Sequence, residues 1–363
     1  MNRRHFLSAA GVAALGVPAG TLVAAPATKR PNLEILMETT KVPGIAVAGV
    51  ADGKPLELAG GVKADTGFPA ASLSKPVFAW AVRALAHAGK LDLRKPLMDY
   101  ADLGLTGDAR GITAEHVLTH SSGLTNWRFK AGEPLASAFT PGTRWQYSGE
   151  GIFLLQRVVE KIAGVPIAAY MRERVLRPMG MTSSTFAWTP EVGARNAAGH
   201  DRDGQPLERS LAYYEQKNHA IVGDGEASSY DQIVAAYAKA NAVALPIAMS
   251  PNMAGSLQTT APDYARFLVR VLADTAVHPD DFRPRVDVNR QIAWTLGWGV
   301  DRSAAAPSFF HWGDGPGYKN FAWVQPARKT ALVFFTNGDH GASLYAWVFR
   351  ELLHEDSAAF YWI

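Results

Sequence analysis

A chain of 363 residues with a formal net charge of +3 and no cysteine rules out several kinds of chemistry at once. Without thiols there is no disulfide framework, thiolate nucleophile, thiolate zinc site or iron–sulfur cluster, so covalent chemistry needs another nucleophile. Basic and acidic residues nearly balance at 36 against 33, no long run carries one sign, and a nucleic-acid partner is not expected.

The chain opens with Arg3-Arg4-His5-Phe6-Leu7, then an apolar stretch from Ala9 to Val23 interrupted by Gly11, Gly16, Pro18 and Gly20, then Ala24, Ala25 and Ala27. This order predicts a twin-arginine export signal over 1–27, cleaved near Ala25 or Ala27. A stable membrane span needs about 20 uninterrupted apolar residues, more than this stretch offers. The expectation is a periplasmic or secreted protein without a stable membrane span.

Pro43 to Val50, a turn over Ala51-Asp52-Gly53-Lys54, and Leu56 to Val62 read as a hairpin. From Ser72 to Gly89 the apolar positions Leu73, Val77, Phe78, Trp80, Ala81, Ala84, Leu85 and Ala88 recur at helical spacing, and Gly89 ends the helix. Helical patterns broken by Pro and Gly fill the chain from Leu91 to about Asp280. Ile292–Val300, Ser308–Trp312, Tyr318–Val324 and Thr330–Thr336 read as consecutive antiparallel strands, followed by a helix from Ser343 to His354. Strands at both ends most simply share one sheet. The predicted fold is an α/β protein, an α+β sandwich whose antiparallel sheet comes from residues 28–90 and 285–363, with a mostly helical domain inserted over 91–284.

Three stretches carry candidate chemistry. Ser72-Leu73-Ser74-Lys75 has the S-x-x-K form and falls at the start of the long helix. Residues i and i+3 share a helical face, so the amine can lie beside the hydroxyl. Pro76 fits because a residue without an N–H is tolerated only in the first turn. Trp145-Gln146-Tyr147-Ser148-Gly149-Glu150-Gly151 forms a polar turn before a helix, and Phe309-Phe310-His311-Trp312-Gly313-Asp314-Gly315 ends one strand and turns into the next. A rival reading is a metal site at His116 and His120, whose i, i+4 spacing could share a helical face. The acid is misplaced for an H-E-x-x-H arrangement and no clear third ligand follows, so no metal or other cofactor is expected.

Taken together and in this order, the three stretches resemble class C β-lactamases, D-alanyl-D-alanine carboxypeptidases and related esterases. Phe68-Pro69-Ala70-Ala71, Gly89-Lys90-Leu91-Asp92-Leu93, Leu118-Thr119-His120-Ser121-Ser122-Gly123-Leu124 and Ala254-Gly255-Ser256-Leu257-Gln258-Thr259-Thr260 also look like family signatures, so the resemblance spans almost the whole chain after the signal. It implies a β-lactamase/transpeptidase-like fold and a serine hydrolase acting through an acyl-serine. Ser72 would be the nucleophile, and Lys75 or Tyr147 would take its proton. His311 would close the site, and the backbone N–H groups of Ser72 and Asp314 would form the oxyanion hole. Gly149, Trp312 and Gly313 would contact a small ester, amide or peptide.

Two positions depart from the family pattern. The asparagine of the tyrosine motif is Gly149 and the lysine of the late strand is His311, which points toward the esterase-like members. Of Trp127, Phe129, Trp145, Phe310, Trp312 and Tyr318 at least half are expected to be core packing; those that line the cleft would suit an aromatic or apolar acyl group better than a strongly charged peptide. The alternative is a protein that binds penicillin or cell-wall peptides with little or no turnover.

Overall fold

The structure, a computed structural model, describes residues 31–130 and 132–363; the expected export signal lies outside them. The strands are β1 (Ile45–Ala51), β2 (Lys54–Gly60), β3 (Gly67–Pro69), β4 (Gln258–Thr260), β5 (Val286–Asp287), β6 (Ile292–Trp294), β7 (Gly299–Asp301), β8 (Ser308–Gly315), β9 (Tyr318–Gln325) and β10 (Thr330–Thr336). Eight of them make one sheet in the order β2-β1-β10-β9-β8-β7-β6-β5, while β3 and β4 pair separately. Every pairing is antiparallel, and Ile45 lies opposite Thr336, so strands from the early and late parts of the chain pair as the second and third of the eight.

Helices α1 (Leu33–Thr40) and α2 (Ser74–His87) precede a helical stretch of α3 (Ala114–Leu118), α4 (Gly149–Ala163), α5 (Ile167–Met171), α6 (Pro190–Arg195), α7 (Leu211–Val222) and α8 (Tyr230–Lys239). Then come α9 (Ala261–Val277), α10 (Gly341–Leu353) and α11 (Ala359–Trp362). β10 is buried along its whole length, as its unbroken apolar run requires of a strand covered on both faces. Side chains alternate across a strand. Ala331, Val333 and Phe335 therefore enter a core with Val77 and Phe78 of α2 and Phe267, Leu268 and Val271 of α9. Leu332 and Phe334 enter a second core with Leu344, Val348 and Phe349 of α10. Each fully buried side chain of this size contributes about 1.5–3 kcal/mol, and this two-sided burial makes the sheet a rigid floor.

The β1–β2 hairpin is closed by Asp52-Gly53, both at positive φ (49° and 76°), the turn that matches the twist of the flanking strands. The long helix begins as α at Ser74, after a 3-10 turn over Ala71–Leu73, so Ser72 sits in that tighter turn. The run Ile292–Val300 forms two strands instead of one, because Gly297 adopts φ 102° and the Thr295 N–H bonds back to the Trp298 carbonyl at 2.8 Å. A Cβ on Gly297 would lie 2.3 Å from the Ala79 Cβ, so only glycine lets this corner pack on α2. β3, β4 and β5 are three residues long or shorter, too brief to leave an alternating pattern.

Candidate active site

Ser72 is presented by a strained, pinned turn. Ala71 has φ 49°, a conformation costing an L-residue roughly 1–2 kcal/mol, and hydrogen bonds from elsewhere hold it there. Ala70 donates its N–H to Leu257 O at 2.8 Å. Ser74 Oγ donates to Ala71 O at 2.6 Å and accepts the Leu257 N–H at 3.0 Å. Tyr264 donates its hydroxyl to Leu73 O at 2.9 Å. Ser74 and Lys75 are thereby buried while Ser72 stays partly open. Pro76 is the third residue of α2, where no N–H is missed.

Lys75 Nζ lies 2.8 Å from Ser72 Oγ and donates to Ala254 O at 2.7 Å. The side chain is 2 % exposed, and with no carboxylate to compensate, burial pulls the amine down to about 7. Tyr147 comes from the turn before α4, its ring centroid 4.9 Å from Lys75 Nζ. Part of the ring is open, but its hydroxyl is buried and makes no hydrogen bond of good geometry. Burial pushes the phenol well above its usual value, and the nearby Ser72 hydroxyl offsets this only in part. His311 on β8 is fully buried, its ring centroid 6.4 Å from that of Tyr147. Its Nδ1 is 2.8 Å from the Trp312 carbonyl, which makes Nδ1 the protonated nitrogen and leaves Nε2 buried without a partner. Burial, reinforced by the Lys75 charge, lowers this imidazole to about 3, so it is neutral at pH 7.

β8 runs alongside the serine turn. A Cβ on Gly313 would lie 2.2 Å from Ala70 O, so glycine is needed for this close approach. On β9, Asn320 ties the strand to the same turn by donating to Pro69 O at 3.0 Å. Asp314 is exposed and its carboxylate accepts from Lys319 Nζ at 2.6 Å. Trp312 packs on Tyr147 with ring centroids 5.3 Å apart. Gly149 opens α4, and a Cβ there would lie 2.2 Å from Trp127 Cζ2: the Trp127 indole occupies the space where a residue with a side chain would project. The loop carrying Trp127 is fastened to α4, since Asn126 Oδ1 accepts the Gly149 N–H at 2.9 Å and Arg128 pairs with the fully buried Glu150 at 2.6 Å.

Ser72, Lys75, Tyr147, His311, Trp312, Gly313 and Gly149 are thus gathered from three distant stretches. Several residues around them carried no assigned role in the sequence. Trp294 and Trp362 join Trp145 and Trp312 in one aromatic wall, with Trp145–Trp362 and Trp312–Trp362 centroids 5.2 and 5.4 Å apart. The Ala254 carbonyl beside Lys75 belongs to a signature stretch but leaves no side-chain signal. Of the outlying aromatics, Phe310 is core, Tyr318 is buried with its hydroxyl donating to Ala197 O, and Phe129 is 68 % exposed. His116 and His120 do not share a helical face. α3 ends at Leu118, His116 accepts the Thr113 N–H in a capping box, and His120, at φ 52°, turns to the Tyr147 segment. Among the described residues, no three His, Asp or Glu are grouped to hold a metal ion, and no helix is long and apolar enough to cross a membrane.

This sheet order, with a serine turn feeding α2 on one side and a tyrosine turn opposite, defines the β-lactamase/transpeptidase class of fold. The chain belongs to the beta-lactamase family, whose profile matches residues 30–354. It is similar to penicillin-binding protein 4 of Amycolatopsis lactamdurans, 25% identical over 86% of each chain. It is also similar to esterase EstB of Burkholderia gladioli, 33% identical over 44% of this chain and 46% of that protein. It spans about half the length of several curated relatives, among them 55% of protein Rv1367c of Mycobacterium tuberculosis. Solved structures with the same fold include an octameric penicillin-binding protein homologue from Pyrococcus abyssi (TM-score 0.68, 20% identity, 89% of this chain and 76% of that one). Another is a D-alanine carboxypeptidase from Burkholderia cenocepacia (TM-score 0.64, 20% identity, 88% and 96%).

Proposed function

We propose that this protein is an exported serine hydrolase that cleaves small esters with an apolar or aromatic acyl group through an acyl-Ser72 intermediate. The observation that carries the reading is the Lys75 amine, 2.8 Å from Ser72 Oγ and lowered by burial to about 7. A base poised near the working pH is what general-base catalysis requires. In its neutral form Lys75 keeps an N–H for Ala254 O and offers its lone pair to the Ser72 hydroxyl. The raised phenol suits Tyr147 to donating a proton, which supports Lys75 as the base.

Ser72 Oγ attacks the ester carbonyl carbon as its proton passes to Lys75 Nζ, forming a tetrahedral oxyanion. The backbone N–H groups of Ser72 and Asp314 receive that oxyanion; one such donor is typically worth about 3 kcal/mol. The C–O bond to the alcohol breaks as a proton reaches the leaving oxygen from Lys75, directly or through the Tyr147 hydroxyl. Water then attacks the acyl-serine with Lys75 again as base, releasing the acid and restoring the Ser72 hydroxyl. His311, neutral, points hydrogen-bonding character at the site without adding charge.

The acyl preference rests on Gly149 and Trp127. An amide side chain at position 149 would give a hydrogen-bonding partner for an acylamino group; here an indole lies in that space, and Trp145 and Trp312 add aromatic surface. Such a lining favours apolar acyl groups. Arg3-Arg4 and the glycine-broken apolar stretch support export by a twin-arginine route, which cell fractionation of a tagged full-length chain would test.

The decisive comparison sets wild type beside Ser72→Ala on aliphatic esters, aryl esters, D-alanyl peptides and a β-lactam, with a fluorophosphonate probe followed over time. Turnover of the esters, its loss in Ser72→Ala and labelling of wild type alone are expected. Full turnover by Ser72→Ala would remove Ser72 as nucleophile. A stable adduct formed with the substrates themselves, without turnover, would make the protein a receptor.

A further inference from the structure

His120 holds the residues on both sides of Tyr147. The Gln146 N–H donates to the His120 carbonyl at 2.7 Å, and the Ser148 N–H donates to His120 Nδ1 at 3.2 Å. Between these two bonds lies Tyr147, whose ring centroid is 4.3 Å from that of the imidazole. Trp294 and Trp145 close around the same imidazole with centroids at 5.3 and 6.2 Å, and the residue is 2 % exposed.

We infer that His120 is the positioning residue of Tyr147: one side chain and its own carbonyl fix the backbone before and after the phenol, so that the hydroxyl stays directed at Ser72. The inference rests on the hydrolase reading above, in which Tyr147 acts as proton donor. Three features make His120 suited to the task. Its φ of 52° turns the chain at the end of α3 so that carbonyl and ring address one segment. Accepting the Ser148 N–H at Nδ1 fixes the neutral tautomer with its proton on Nε2. Burial and the neighbouring Lys75 and His311 hold the ring in that neutral form; a second ring proton would set two donors against each other at Ser148. Lys75, His311 and Tyr147 are the titratable groups around it, and none of them is an anion at neutral pH that would draw a proton onto the ring.

A double-mutant cycle on the purified protein tests this with the best ester from the panel. His120→Leu should lower kcat about 100-fold, the penalty expected when a catalytic group is misplaced by about an ångström, with KM changed less than about threefold. His120→Asn, which keeps an acceptor near the Nδ1 position and tolerates positive φ, should recover at least about tenfold of the loss. In a Tyr147→Phe background, His120→Leu should add little, because both changes remove the same contribution. If Tyr147→Phe alone keeps full activity, the role of Tyr147 fails and the inference falls with it. If Tyr147→Phe is impaired but His120→Leu is harmless, or its effect simply adds, the inference fails while the hydrolase reading stands. Should His120→Leu not fold, His120→Gln, which places its acceptor near Nε2 instead, enters the same cycle with the same expectations.

Discussion

Replacing Lys75 with methionine should make the protein more stable and inactive at the same time. The Lys75 amine falls from its ordinary 10.5 to about 7 on folding, and each pH unit of such a change corresponds to about 1.4 kcal/mol. The folded state therefore binds fewer protons here than the unfolded chain between pH 7 and 10.5, and stability rises with pH across that window. Above it the penalty for burying the amine is absent; below pH 7 it levels off at about 5 kcal/mol. Methionine fills similar space without charge, but leaves Ala254 O unpaired, a loss of about 1–3 kcal/mol. Lys75→Met should thus gain roughly 2–4 kcal/mol at pH 6.5–7, and its advantage should shrink by about 1.4 kcal/mol for each pH unit above 7. Urea denaturation of both proteins from pH 6.5 to 9.5 measures the gap, and ester turnover should fall by at least about 100-fold. A gap that does not change with pH, or a variant that still turns over, would refute the assignment of a buried, uncompensated base.

Other outcomes follow from the same geometry. In wild type, kcat/KM should fall tenfold per pH unit below about 7, as Lys75 gains its proton, and His311, lowered to about 3, should add no second limb between pH 5 and 9; a limb near 6 abolished by His311→Asn would contradict this. Gly149→Ala forces a Cβ against the Trp127 indole and should cost about 1–3 kcal/mol in thermal unfolding. The cost should be largely relieved in combination with Trp127→Ala, which additive losses would disprove. Gly313→Ala places a methyl 2.2 Å from the Ala70 carbonyl and should separate β8 from the serine turn. A loss of activity of about 100-fold or more is expected, and unchanged kcat/KM would show that this close approach is not needed.

Much of this arrangement is legible along the chain. The β1–β2 hairpin follows from an apolar run, Asp52-Gly53 and a second run; α2 follows from spacing; β10 follows from seven apolar or β-branched residues in succession. These are local signals, set by backbone sterics and side-chain periodicity over a few residues. The short strands β3, β4 and β5 and the break at Gly297 left no such signal, because long-range pairing and the contact with Ala79 decide them. The i, i+4 spacing of His116 and His120 suggested a shared face only because helix periodicity was extended past Leu118, where the backbone in fact turns to positive φ.

The order and chemistry of Ser72, Lys75, Tyr147 and His311 belong to the sequence alone, as does the absence of any thiol alternative. Tertiary structure supplied the burial that lowers the amine to about 7 and raises the phenol, a difference in environment that residue type does not carry. It also decided why position 149 is glycine and what keeps Tyr147 in place: Trp127 and His120 lie 22 and 27 residues away along the chain, and only folding brings an indole and an imidazole into contact with that turn.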